Sequence, residues 1–221
     1  SLGFSIDQNH LATHLQSRLI GHGFENVSVI LEEKHATITY ENRIYRDEIR
    51  AIREVFTLVV PHVKGIEHII LIPQNREIPL VTVTIPTAEY QTRLDQTVSH
   101  EQSVLDIQTS LDVKAIWREA ASTIRRNSSS RKFDIIVHPQ FNARFGNFDE
   151  PVESQTNLVP TIHTGLWKGM SLAAQLIIPL QNELGGNGDD LRPGLLTANE
   201  TFRLPRHTFV SATIGYFTEN R

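Results

Sequence analysis

The chain has 221 residues, a formal net charge of -4, a pI near 6.2 and no cysteine. Lack of cysteine removes disulfides, zinc–thiolate centres and thiol nucleophiles. Lack of a basic excess leaves no global field to hold nucleic acid or anionic lipid. No stretch approaches the roughly 18 consecutive apolar residues of a membrane helix. A mean hydropathy of -0.23 still admits membrane strands, which are apolar on one face only.

The first residues carry no basic, apolar leader pattern. Asp7 reads as a helix N-cap, and Leu11, Leu15 and Leu19 recur along one helical stripe before Gly21 and Gly23 stop it. Val27, Val29 and Leu31 alternate as a half-buried strand. A turn at Glu33-Lys34 leads to its partner, Ala36, Ile38 and Tyr40. A second helix is expected from Arg46 to Val60, with Ile49, Ile52, Val55, Phe56 and Val59 facing the core and Pro61 ending it. Asp47 stands near its start, where the helix dipole favours an anion. His68 to Ile72 reads as a third strand, Gln74 to Glu77 as a turn, and Ile78 to Ile85 as a fourth strand. Residues 1–88 are thus expected to form an α-β-β-α-β-β domain, two helices over a mainly antiparallel sheet, of the α+β class.

Chemistry-bearing candidates here are sparse. His10 and His14 have an i, i+4 spacing that suits a metal, yet no third ligand accompanies them, so a solvated pair is the favoured reading. Glu32-Glu33 beside Lys34 is a charged turn. The compact polar run Glu41 to Arg46 is read first as a turn that caps the second helix, and second as a docking surface.

Residues 89–131 read as a connector. Thr87 to His100 is polar, Val104 to Leu111 alternates as a short strand, and Val113 to Ile124 carries a helical face of Val113, Ile116, Trp117, Ala120 and Ile124. Arg125, Arg126, Arg131 and Lys132 then bracket a serine run. Two readings stand side by side: a solvated joint, or a basic rim near lipid headgroups. No aromatic residue interleaves these cations, so they make a poor nucleic-acid site.

Residues 132–221 hold a different rhythm. Phe133, Ile135, Val137, Phe141, Ala143 and Phe145 share one parity, and Asp134, His138, Gln140, Asn142 and Arg144 share the other. Thirteen alternating residues span about 43 Å, well beyond the roughly 5–6 residues of a common globular strand and enough for a tilted membrane strand. Pro139 argues for an edge or a bulge. Further strands are expected at Asn157 to Leu166, from Met170 to Leu180, from Leu191 to Leu204 (the least regular) and around Val210 to Tyr216. The connections alternate long, short, long, short, as outer-membrane barrels do with their extracellular loops and periplasmic turns. Periodicity alone equally allows a soluble β-sandwich with the apolar face turned inward. Five strands are fewer than the smallest barrel needs, so a barrel would take further strands from missing sequence or another chain. The polar parity, Asp134, His138, Gln140, Asn142 and Arg144, would then face its lumen.

No nucleophile elbow, phosphate loop, dinucleotide fingerprint or metalloprotease pair occurs. The glycine-rich run to Asp189-Asp190 lacks the lysine and helix of a phosphate cradle. The expectation is a non-enzyme with no cofactor, metal or catalytic residue.

Gly23-Phe24-Glu25-Asn26-Val27, Tyr40 to Arg46, Phe133 to Pro139, Leu172 to Leu180 and Ile214 to Arg221 together resemble the YjbH-like proteins of Gram-negative envelopes. The resemblance implies an outer-membrane β-barrel with a periplasmic α+β domain, acting in export or assembly of exopolysaccharide or capsule. It implies polysaccharide, envelope export proteins and outer-membrane lipid as partners. It brings no catalytic residues, and, since such proteins are longer and carry an export signal, it implies that this chain is a fragment. The alternative is a soluble envelope module whose β-sandwich binds glycan or protein.

Overall fold

A computed structural model describes residues 2–87, 107–123, 126–146, 152–184 and 189–217. The chain divides into two compact units, Ser1–Ser129 and Ser130–Arg221.

The first unit opens with helix α1 (Leu2–Gly21). It begins before Asp7, which lies inside the helix and is not its cap; no proline or glycine-rich turn interrupts the backbone there. Leu15 and Leu19 are fully buried, and Leu11 packs beside them. Gly23 follows with φ of +89°, a conformation glycine tolerates, and an added Cβ there would collide with the Ile44 side chain. Strands β1 (Glu25–Leu31) and β2 (His35–Glu41) pair antiparallel.

Helix α2 (Glu48–Val59) starts two residues later than its apolar pattern suggests, because Asp47 is the N-cap: its Oδ1 accepts from the Arg50 amide at 2.7 Å. Ala51, Val55, Phe56 and Val59 are buried, whereas Ile49, expected inside, is 80% exposed on the first turn. A 3₁₀ turn, Val60–His62, carries Pro61. Because α2 crosses over, β3 (His68–Asn75) runs parallel to β2. Arg76 and Glu77, both with positive φ, form the two-residue hairpin tip. The expected fourth strand is divided into β4 (Ile78–Pro79) and β5 (Thr82–Pro86), with the Leu80 amide bonded to Pro73 O at the break.

β6 (Gln108–Ser110) extends the sheet beyond β5, and α3 (Lys114–Ser122) follows. The Val104–Asp106 part of the expected strand and Ile124 and Arg125 lie outside the described residues. The sheet is therefore mixed and six-stranded, β1-β2-β3-β5-β6 with β4 on β3, where the sequence suggested four strands. Its core joins Leu15, Leu19, Phe24, Ile38, Tyr40, Val55, Val59, Ile69 and Leu71.

The second unit is one antiparallel meander: β7 (Phe133–Phe145), β8 (Val152–Gly165), β9 (Met170–Asn182), β10 (Arg192–Arg203) and β11 (Phe209–Phe217), in spatial order β11-β10-β9-β8-β7. β7 has the predicted bounds. Pro139 sits within it, in register with Leu158, and an edge strand tolerates the missing N–H. β8 starts at Val152, not Asn157, since polar Glu153 to Thr156 pair with Arg144 to Phe141; the first connection is correspondingly shorter. The irregularity of β10 is a register shift between Pro193 and Leu195. Among the described residues the five strands form a single open sheet, with neither a second facing layer nor a closed barrel.

Candidate functional site

The register of the second sheet sorts its side chains into two faces. Residues paired across neighbouring strands lie on the same face. Ile135, Ile162, Ala174, Leu196 and Tyr216 form one continuous cross-strand row. Phe133, Thr164, Leu172, Ala198 and Ile214 form the next. These rows are open to the surroundings: Leu196 is 60% and Ile214 78% exposed, and Phe133, Ile135, Val137, Phe141 and Phe145 are all exposed along β7.

The opposite face is polar, and its centre is the buried one. Glu153, Gln155, Asn157, Val159 and Thr161 alternate along β8 as buried residues, with Asn157 at 1% exposure. This reverses the arrangement of a soluble half-buried sheet, whose apolar side is covered. The register shift at Gly194 preserves the sorting. It carries Leu195 to the polar side and returns Leu196, Ala198 and Phe202 to the apolar one.

Asp134, His138, Gln140, Asn142 and Arg144 share one face of β7 with the buried β8 residues. Asp134 pairs with His163, His138 with Val159, Gln140 with Asn157, Asn142 with Gln155 and Arg144 with Glu153. Arg144 makes an ion pair with the buried Glu153 carboxylate, Nε to Oε2 at 2.5 Å, and Asn142 Nδ2 donates to Gln155 Oε1 at 3.4 Å. Sequence reasoning missed their partners on β8 because Glu153 and Gln155 lie in the part assigned to a loop. Further along, Gln175 Nε2 donates to Thr161 Oγ1 at 3.1 Å, and Asn199 Nδ2 donates to Ser211 Oγ and Thr213 Oγ1 at 2.8 and 2.7 Å. The face sets amides and hydroxyls among the charged Asp134, Arg144 and Glu153. It suits hydrogen bonding to a hydroxyl-rich or otherwise polar chain.

A family model described as exopolysaccharide biosynthesis protein YbjH matches residues 4–211, which covers both units. The chain belongs to this YjbH family. Comparison with curated proteins and comparison with solved structures each give no match. The YjbH assignment agrees with the resemblance seen in Gly23 to Val27 and in the strands.

The first unit of this YjbH chain holds its own polar centre. Glu41, buried at the end of β2, accepts from Asn26 Nδ2 at 2.6 Å and Ser129 Oγ at 2.9 Å, with the Glu77 amide at 3.4 Å. Arg43 lies 3.9 Å from its other oxygen. Asn26 also donates to Ser129, and Asn26 N, Val27 N and Arg126 N bond the segment 126–127 to the β1 edge. Burial holds the nearby Arg76 guanidinium below its usual range, against the opposing pull of Glu41. These contacts fasten the end of β2 to β1 and to the segment 126–129. The run Glu41 to Arg46 forms the expected turn ahead of α2, while the cap itself is Asp47: Asn42 Oδ1 accepts from the Ile44 and Tyr45 amides and its Nδ2 donates to the Glu48 carboxylate.

His10 and His14 do not converge on a shared ligand site. His14 lies edge-on to His62, which receives Arg18 Nη1 at 2.7 Å. No group of three or more metal-ligating side chains occurs among the described residues. A cleft of about 380 Å³ lies between α1, the β1–β2 turn and residues 63–66, floored by Leu11, Leu31, Val63 and Ile66 and rimmed by Asp7, Glu32, Glu33 and Lys64.

Proposed function

We propose that this chain is part of an outer-membrane β-barrel protein that takes part in export or assembly of exopolysaccharide or capsule. The carrying observation is the second sheet's inverted face pattern, with aliphatic and aromatic rows outward and amides and hydroxyls on the other side. Lipid is the medium in which such outward rows lose no free energy to water. The strand lengths, 13, 14, 13, 12 and 9 residues, meet the roughly 9–11 residues a tilted crossing requires.

Both edges, β7 and β11, are unpaired among the described residues, and unpaired backbone is costly in hydrocarbon. Further strands, from continuing sequence or another chain, close the wall in this reading. Asp134, His138, Gln140, Asn142 and Arg144, with Gln155 and Asn157, line a polar passage. The first unit precedes β7 and works in the periplasm, where its exposed surface meets polysaccharide-export proteins. The family description supplies the link to exopolysaccharide.

The test has two parts. The chain should require detergent or lipid to stay monodisperse; a detergent-free monomer with no lipid affinity overturns the membrane reading. Replacing Asn142 and Asn157 by leucine in the intact protein should lower surface polysaccharide while leaving outer-membrane insertion unchanged. Unaltered polysaccharide output overturns the passage.

A further inference from the structure

The two ends of the second sheet differ in charge balance. At one end the β8–β9 and β10–β11 turns meet the start of β7. The Arg131 amide bonds to Gly165 O at 2.6 Å, the Thr201 amide to Gly169 O at 3.0 Å, and the Leu204 amide to Thr208 O at 2.8 Å. These bonds bring three separate stretches into line. They gather Arg131, Lys132, Lys168, Arg203 and Arg206, together with the exposed Trp167. Arg206 stands exposed at a hairpin tip with φ of +61°. Arg203 lies over the Phe209 ring at 5.2 Å. The neighbouring acid, Glu200, accepts from Trp167 Nε1 at 3.1 Å. The far end mixes the acids Glu153, Glu183, Asp189 and Asp190 with Arg144 and Arg192.

We propose that the short-turn end is a docking rim for anionic phospholipid headgroups, with the cations on the phosphates and Trp167 at the apolar boundary. The assignment rests on the membrane reading above, because headgroups meet this rim only if the outward rows lie in lipid. Cations one beside another along a strand end, next to exposed aromatic rings, match a headgroup layer: negative phosphate outside, hydrocarbon within. The net charge of -4 conceals this rim, where the cations outnumber the acids Asp134 and Glu200.

The experiment measures binding of the whole chain to phosphatidylcholine vesicles and to vesicles that also contain phosphatidylglycerol, at low and high salt. The chain should bind both, favour the anionic vesicles severalfold, and lose that preference in high salt. The variant Arg131→Gln, Lys132→Gln, Lys168→Gln, Arg206→Gln should retain neutral-vesicle binding and bring the anionic preference close to one. Exchanging the same arginines for lysine and lysines for arginine should preserve it, as should Asp189→Asn with Asp190→Asn. Equal binding to both vesicle types, or a preference that survives the glutamine variant, overturns the rim and leaves the membrane reading standing. No binding to either vesicle type overturns both.

Discussion

Leu196→Arg provides a sharp measure of which medium the outward face occupies. Leu196 is 60% exposed, flanked on its own row by Ala174 and Tyr216, with Ile162 and Ile135 beyond. In water, an arginine at such a position changes stability by no more than about 0.5 kcal/mol, since the guanidinium stays solvated. On the lipid face of a membrane strand it costs about 2–4 kcal/mol near the midplane, a factor of roughly 30–900 in an equilibrium constant. The comparison is Thr213→Arg, on the polar face of the adjacent strand and in register with Asn199. Partition of the chain between buffer and lipid vesicles, followed by tryptophan emission, should fall by that factor for Leu196→Arg and change little for Thr213→Arg. Equal partition of the two variants refutes the argument that the exposed rows are a lipid face.

The remaining expectations concern the scaffold. Glu41→Ala strips an acceptor from Asn26 and Ser129 in a buried place, and should destabilise the first unit by about 3–5 kcal/mol, read as faster amide exchange through β1 and β2. Acid should loosen the α1 end: burial first, then Arg18 and His14, hold His62 below its usual pKa, so the unfolded chain binds more protons below about pH 6.5 and stability falls as pH drops through that window. Amide exchange at Leu19 to Gly23 checks this, and His62→Gln should remove the pH dependence. Gly215→Ala sets a methyl against the Leu196 carbonyl and 2.7 Å from Thr197 Cα, and should free β11 from β10, seen as lost protection of both strands. Gly21→Ala meets open space at the last turn of α1 and should be neutral or stabilising by up to about 1 kcal/mol.

The sequence made the two-unit contrast legible because each part uses a different period. The stripe Leu11, Leu15, Leu19 and the alternation from Phe133 to Phe145 both survive into the structure, the latter with the same bounds. What it concealed was pairing. The parallel β2–β3 contact arises from the crossover of α2, which is a matter of topology and not of local pattern. Asp47 overrode the apolar count at the start of α2, and left Ile49 outside. The β8 start was missed because Glu153 to Thr156 is polar, although polar residues are what that face uses. Alternation by itself leaves both a barrel piece and a sandwich open, since it states that one face is apolar, not where it points. The polar parity on β7 was readable, while its partners Glu153 and Gln155 needed the register.

The stitching of residues 126–129 onto β1 also has a temporal side. Asn26 and Ser129 are 103 positions apart, and both bond the same Glu41 carboxylate. A chain delivered from its N-terminus has α1 through β5 available well before Ser129 arrives, so during that interval Glu41 lacks one donor and the Asn26–Val27 edge lacks its neighbour. Closure then comes with the last residues ahead of β7. The first unit therefore reaches its final stability only as the first strand of the second begins to emerge, which gives synthesis a built-in order: scaffold sealed first, sheet assembled afterwards.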